Sequence, residues 1–200
     1  MSEENIYNPL AKIHLGESIT NVILSSHVEP LPPKDDFFGA GIYLIYYIGD
    51  FPLYSSIVNK NKSNKFRQPI YVGKAIPSGA RKGGVGSETS KSRSLLNRLK
   101  EHADSIKETR NLNIDDFFCR YLVVDDIWIP LGESLLIQKF SPIWNLALDG
   151  FGNHDPGGGR YNQQRSPWDM IHPGRSWAMK CRENKRSHDE IYKGLEILLK

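Results

Sequence analysis

Apolar and polar positions divide this chain into short runs of two kinds. From Gly41 to Ile48 the sequence Gly-Ile-Tyr-Leu-Ile-Tyr-Tyr-Ile holds no charge, and its β-branched and aromatic content predicts a buried strand. Pro69-Ile-Tyr-Val-Gly73 predicts a second strand, and an extended connection would let the two pair as a hairpin. Phe117 to Val124 predicts a third. Elsewhere the spacing is helical. Leu95, Leu99, Ala103 and Ile106 fall at intervals of four, four and three, which predicts an amphipathic helix entered at Ser92. Pro130 opens a further predicted helix that runs through Phe140 and is closed by Pro142. Asn8-Pro9, followed by Ile13, Ile19, Val22 and Ile23, predicts a helix over 9–27. The pair Ser187 and Glu190 reads as a capping box for a last helix carrying Ile191, Leu195 and Leu198.

The stretches between these runs are loops of different character. Glu29 to Asp36 contains three prolines and reads as a linker into the core, because proline removes a backbone donor and fixes its own φ. Pro77 to Thr89 is glycine-rich and polar. Asn153 to Gly174 is rich in glycine and proline but carries Trp168, so it reads as an ordered loop.

Length changes the picture only by limiting it: 200 residues suit one core. The longest apolar run is far short of the roughly 20 residues that cross a bilayer. The opening Met-Ser-Glu-Glu-Asn has no basic or apolar leader character, so a cytoplasmic location is expected. Cys119 and Cys181 are far apart and lack CxxC partners, which excludes a zinc ribbon or a disulfide framework; both are expected as free thiols. Charge is segregated. From Lys60 to Lys100 there are eleven Lys and Arg against the single acid Glu88, a net +10 in a chain whose total is +3. Such a segment suits a polyanion, although a solvated basic loop would look the same by count alone.

Candidate chemistry emerges when positions are combined. Tyr43 and Tyr71 on strands read first as packing aromatics, His102 as a helix-surface residue, Glu133 as a helix-start acid and Asn145 as a turn cap. Yet Arg98 and His102 are four apart and share a helical face beside the apolar stripe, so they are expected at the edge of a cleft. Glu133 is expected in the first turn of its helix, turned by Leu136 and Ile137 toward the same core.

Gly41-Ile-Tyr43, Tyr71-Val-Gly73, Arg98 with His102, Glu133 and Asn145 together resemble the GIY-YIG nuclease superfamily in identity and order over about 39–146. Two departures stand out: the second tripeptide reads Tyr-Val-Gly, and 27 residues separate Tyr43 from Tyr71, as an insertion over Leu53 to Arg67 would explain. Gly39-Ala-Gly-Ile-Tyr43, Pro69 to Ala75, Trp144-Asn145, Asp149 to Gly157 and His172-Pro-Gly-Arg175 narrow the resemblance to the type II restriction endonucleases of this superfamily that cleave CCGCGG.

That resemblance implies an α+β fold with a small central antiparallel sheet flanked by helices and with helical extensions at both ends. It implies one domain over 1–200, with a catalytic core at about 39–146, an N-terminal helix and linker over 1–38, and a C-terminal loop and helix over 147–200 for DNA contact or dimerisation. Glu133 would bind one Mg²⁺, and Arg98 would hold the scissile phosphate. Tyr43 would orient or deprotonate water with help from Tyr71, and His102 is the competing base. Asn145 would position the catalytic helix or the phosphate. The implied partners are double-stranded DNA and a second copy of the chain, since a palindromic site calls for a homodimer. Lys74, Arg81, Lys82, Lys91, Arg93, Arg160 and Arg165 are the candidates for DNA contact, to phosphates or to guanine edges. Rival readings are a structure-specific repair or homing nuclease of the same superfamily, and a DNA-binding module without catalysis.

Overall fold

A computed structural model describes residues 11–77 and 92–199. Its centre is a four-stranded antiparallel sheet made of β1 (Glu29–Pro30), β2 (Gly41–Tyr47), β3 (Tyr71–Ala75) and β4 (Phe117–Val123), in the order β1-β4-β2-β3. Strand β2 pairs with β3 from Gly41↔Ala75 to Ile45↔Tyr71, and with β4 from Gly41↔Val123 to Tyr47↔Phe117. All seven residues of β2 are buried, as an unbroken apolar run requires. The proline-rich segment is more than a linker, because Glu29 and Pro30 extend the sheet at the β4 edge and Leu31 is buried. Proline is tolerated at such an edge, where one side of the strand needs no donor.

Because side chains alternate along a strand, β2 feeds two cores. Ile42, Leu44 and Tyr46 pack with Ile23 of α1 (Lys12–Ser25) and with Ile129 and Leu136 of α4 (Ile129–Phe140). Tyr43, Ile45 and Tyr47 pack on the other face with Leu95, Leu99, Ala103 and Ile106 of α3 (Ser94–Lys107), the stripe expected from spacing. Full burial of each of these leucines and isoleucines is worth about 1.5–3 kcal/mol. On α1 the buried face is Gly16, Thr20 and Ile23, whereas Ile13 and Val22 are exposed, since the helix lies on α4 through Gly16 against Leu135.

The connection between β2 and β3 forms a 3₁₀ turn over Pro52–Tyr54 and α2 (Ser55–Asn61), and it buries Leu53, Tyr54, Ile57 and Val58 against the same core as Tyr43. Asn61 fastens its end: the amide donates to the carbonyls of Tyr47 (3.1 Å) and Gln68 (2.9 Å) and accepts from the Gln68 N–H (2.8 Å). Beyond α4, whose C-cap Ser141 is left-handed, follow α5 (Ile143–Leu146), α6 (Pro167–Ile171) and α7 (His188–Leu199). Helix α6 lies inside the stretch expected to be loop. Ser166 caps it by accepting from the Asp169 N–H, and Trp168 is buried. Helix α7 has the expected capping box, Ser187 N–H donating to Glu190 Oε2 at 2.7 Å, but Leu198 is exposed and only Ile191 and Leu195 are buried. Both cysteines are free and buried. Among the described residues no helix is long and apolar enough to cross a membrane.

His172, in this aromatic core, is fully buried between Tyr54 (hydroxyl to Nε2, 2.6 Å) and Asn111 (Oδ1 to Nδ1, 3.1 Å). Burial first, then the charge of His188, lowers its pKa to about 3. The folded state therefore binds a proton at this ring less readily than the unfolded state, whose histidine titrates near 6.5. Its stabilising contribution is complete above that value and is lost as pH falls from 6.5 toward 3, by about 1.4 kcal/mol per pH unit. Urea midpoints measured over that window should fall with acidity, and His172→Gln should flatten the slope; equal slopes would rule the assignment out.

Candidate active site

Four of the six expected catalytic side chains meet where β2, β3 and α3 come together. Tyr43 stands on the middle strand with its hydroxyl 2.6 Å from Nε2 of His102 on α3, and both residues are buried. Tyr71, opposite Ile45 on β3, closes the group: its ring centroid lies 6.2 Å from Tyr43 and 5.3 Å from His102. Gly73 pairs with Tyr43 across the strands, and any Cβ there would run into the Tyr43 hydroxyl, so the glycine leaves that phenol room to lie across β3. Arg98, one turn before His102, is half-buried and opens onto a cleft of about 410 Å³ lined by Lys74, Ser94, Asn97, Glu101 and His154 among others. His102 is thus not at the cleft's edge as its helical face implied; it lies beneath Arg98, because Phe151 stacks on it at 4.5 Å.

Burial sets the proton inventory. It raises the Tyr43 phenol well above its ordinary value, reinforced by Tyr71 and opposed by the positive charge of Arg98. It lowers His102 well below the ordinary histidine value, and Arg98 adds to that by repelling an imidazolium. The phenol is therefore protonated and the imidazole neutral at neutral pH; in the Nδ1–H tautomer of His102 the Tyr43 O–H donates to Nε2. Tyr71 is raised for the same reason, burial, against the pull of Arg98.

Glu133 approaches from the opposite face of the sheet. Its helix packs with the second core, and Leu136 and Ile137 belong to that core and not to the one holding His102. The helix begins at Ile129, so Glu133 lies in its second turn and not its first. Its carboxylate meets Lys74 of β3 at 2.6 Å and acts electrostatically on both tyrosines, raising them. The site thus straddles β3, the edge strand. Asn145 secures that strand: its amide donates to the Val72 carbonyl and accepts from the Val72 N–H, both at 2.8 Å. A side chain here replaces the missing neighbouring strand and holds β3 between Tyr71 and Gly73.

Arg98 carries partners that the sequence reading did not include. Its guanidinium donates to Glu101 Oε2 (2.9 Å), to the Gly152 carbonyl (2.8 Å) and to His154 Nε2. Glu101, three residues on, was legible from helical spacing; Gly152 and His154 were not, since separations of 54 and 56 residues hide the contacts. Of the expected DNA contacts, Lys74 is in the site, and Arg160 is exposed. Arg93 pairs with Asp36 and lies over the Phe38 ring at 5.6 Å. Arg165 is turned inward, donating from Nε to the Ala178 carbonyl (3.1 Å) and from its terminal nitrogen to that of Met179 (3.5 Å). Arg81, Lys82 and Lys91 lie outside the described residues.

Among the described residues no three His, Cys, Asp or Glu side chains are grouped to cage a metal ion. Glu133 is one half-buried carboxylate that already draws a cation, the Lys74 ammonium, to its open side. A hard ion that keeps most of its waters and takes one or two carboxylates fits such a donor, whereas a zinc site does not.

A family model described as the Eco29kI GIY-YIG domain matches residues 35–199, most of the chain. No curated protein matches it. The tyrosines on neighbouring antiparallel strands, the arginine and histidine on the helix across them, and the four-stranded sheet between helices agree with that match. The chain therefore belongs to the Eco29kI GIY-YIG family, nucleases of the restriction-endonuclease type.

Proposed function

We propose that the protein is a type II restriction endonuclease that hydrolyses phosphodiester bonds of double-stranded DNA with Mg²⁺ at a palindromic site, CCGCGG, leaving 5′-phosphate and 3′-hydroxyl ends. The observation that carries this reading is the hydrogen bond between the Tyr43 hydroxyl and His102 beside the half-buried guanidinium of Arg98. Together they offer a proton acceptor and a phosphate donor fork at one cleft. Bound Mg²⁺ would be held by Glu133 and would supply charge neutralisation at the phosphate and the departing oxygen.

The residues divide the remaining work. A protonated phenol is a poor base, but Tyr43 need not become a free phenolate, because it can take a proton from water while passing its own to His102 Nε2 across 2.6 Å. The imidazolium so formed is disfavoured in the free protein by burial and by Arg98. A phosphate dianion-like transition state on Arg98 offsets that repulsion. Arg98 holds the phosphate by its planar fork, exchanging Glu101 and His154 for phosphate oxygens. Lys74 places a second positive charge on the same cleft. One such site cuts one strand, so a palindrome requires two copies of the chain related by a two-fold axis.

Digestion of a plasmid of known sequence, with Mg²⁺ or with EDTA, tests the reading directly. Discrete metal-dependent fragments ending within CCGCGG are expected, together with dimer-sized complexes on DNA. Nicks confined to branched substrates would assign a repair role, and binding without cleavage in any metal would leave only a DNA-binding module.

Glu133→Ala should abolish cleavage while retaining DNA binding in gel shifts, and surviving cleavage would remove Glu133 as the metal ligand. Arg98→Ala should lose roughly 100-fold or more in turnover and much less in affinity. The acid limb of kcat/KM reports the free enzyme's base, which must be unprotonated. Since His102 stays neutral to well below 6.5, activity should hold as pH falls through that value; an acid limb centred above 6.5 would exclude the relay.

A further inference from the structure

A buried arginine with all of its donors engaged lies beside the site. Arg175 is 1% exposed, yet each of its five N–H donors is used. It meets Asp169 of α6 twice, Nε to Oδ1 and a terminal nitrogen to Oδ2, both at 2.7 Å. The other donors reach three carbonyls of one short loop: Gly150 at 2.8 Å, Phe151 at 3.1 Å and Asn153 at 3.2 Å. The guanidinium plane lies against Trp168 and Trp177, at 4.6 and 4.7 Å from their ring centres. Asp169 is itself held by the Ser166 hydroxyl at 2.6 Å.

The loop that Arg175 grips is the one that touches the reacting groups. Phe151 stacks on His102 with ring centroids 4.5 Å apart and an interplanar angle of 17°, and meets Tyr71 edge-on at 5.0 Å. The Gly152 carbonyl accepts from Arg98 at 2.8 Å. Gly152 also lacks a side chain for a reason: a Cβ there would come 2.9 Å from the Tyr71 hydroxyl and 3.3 Å from the Arg98 guanidinium. Three carbonyls converging on one cation fix the peptide planes on both sides of Phe151 and the one after Asn153, so the Gly152 carbonyl is bracketed by held peptides. A loop without regular secondary structure is thereby tied at three carbonyls on either side of its two site-facing groups.

We propose that Arg175 is a positioning residue for DNA cleavage, which, bridged to Asp169, locks the backbone of 150–153 so that Gly152 aims Arg98 and Phe151 holds the His102 ring against Tyr43. It touches neither the phosphate nor the proton path. The inference rests on the nuclease reading above, and it makes α6 and the aromatic segment around it part of the catalytic apparatus.

Arg175→Lys tests it while keeping the cation. A lysine ammonium has three donors, and it cannot span Asp169 and three carbonyls. Single-turnover cleavage with Mg²⁺ should slow roughly 10- to 100-fold, as expected for a misplacement of about 1 Å, while DNA affinity stays within about threefold. The His102 ring-proton shifts, set by the stacked Phe151, should move in the same variant. A lowered Tm with unchanged turnover and unchanged His102 shifts would make Arg175 a purely structural residue and overturn the proposal. Should Arg175→Lys fail to fold, Asp169→Asn carries the test, since it weakens the bridge that orients Arg175 and contacts neither Arg98 nor His102; a smaller loss of turnover with moved His102 shifts is expected, and wild-type turnover with unchanged shifts would refute the idea. Wild-type protein run alongside separates the two readings. If it cleaves no DNA the nuclease reading fails, and the His102 shifts in Arg175→Lys still decide whether the loop is locked as described.

Discussion

A 2.6 Å hydrogen bond between the Tyr43 hydroxyl and His102 Nε2 joins the middle strand of the sheet to the helix lying across it, and both partners are withdrawn from water. Neither can exchange its partner for solvent, so an unmade bond here would cost about 1–3 kcal/mol as a buried unsatisfied group. That constraint fixes the axial position of α3 on the sheet. It also settles which turn of α3 presents Arg98 to the cleft. The bond sets the protonation states as well, because the burial that protects it disfavours both the phenolate and the imidazolium.

The sheet divides the labour of the site. Strand β2, buried on both sides, supplies Tyr43 to one core and Ile42 and Leu44 to the other. Tyr43, His102 and Arg98 gather on the first face, and the Glu133 carboxylate comes from the second, past the open edge of β3. An edge strand is the natural place for such a junction, since only there can side chains from both faces approach one backbone. The same edge is a weak point, with unpaired amides facing outward. Asn145 answers this with two bonds to Val72, and Gln68 donates to the Phe140 carbonyl at 2.7 Å, linking the entry of β3 to the end of α4.

The C-terminal segment is the second device on which the site depends. It contributes no strand, but it packs Phe151, Trp168 and His172 around Trp144 and lays Phe151 on His102. A buried ion pair such as Asp169–Arg175 gives little net stability, because desolvation offsets attraction; its value here lies in the geometry it imposes on neighbouring carbonyls. The aromatic packing pushes in the same direction, excluding water from the faces of His102 that Tyr43 does not cover.

Short-range physics made much of this legible in the residues themselves. Runs rich in β-branched and aromatic residues marked three strands, four-and-three spacing marked the buried stripe of α3, and Ser187 with Glu190 marked the start of α7. Tyr43, Tyr71, Arg98 and His102 could be picked out because strand and helix periodicities are local, and they put like-facing residues at fixed intervals. What lay beyond reach depended on contacts between distant segments. Periodicity could not say that Glu133 belongs to the opposite face of the sheet, that Asn145 grips a strand, or that Arg165 turns inward to two carbonyls. Nor could it tell that a glycine-rich loop would be ordered by Arg175 and would cover His102, because a side chain's role there is set by which carbonyls the fold brings within about 3 Å of it, and chain distance carries no record of that. Local pattern marked most of the elements and the inventory of reactive groups; contacts between distant segments settled which of those groups share a dielectric environment and a hydrogen bond, and so which protons they hold.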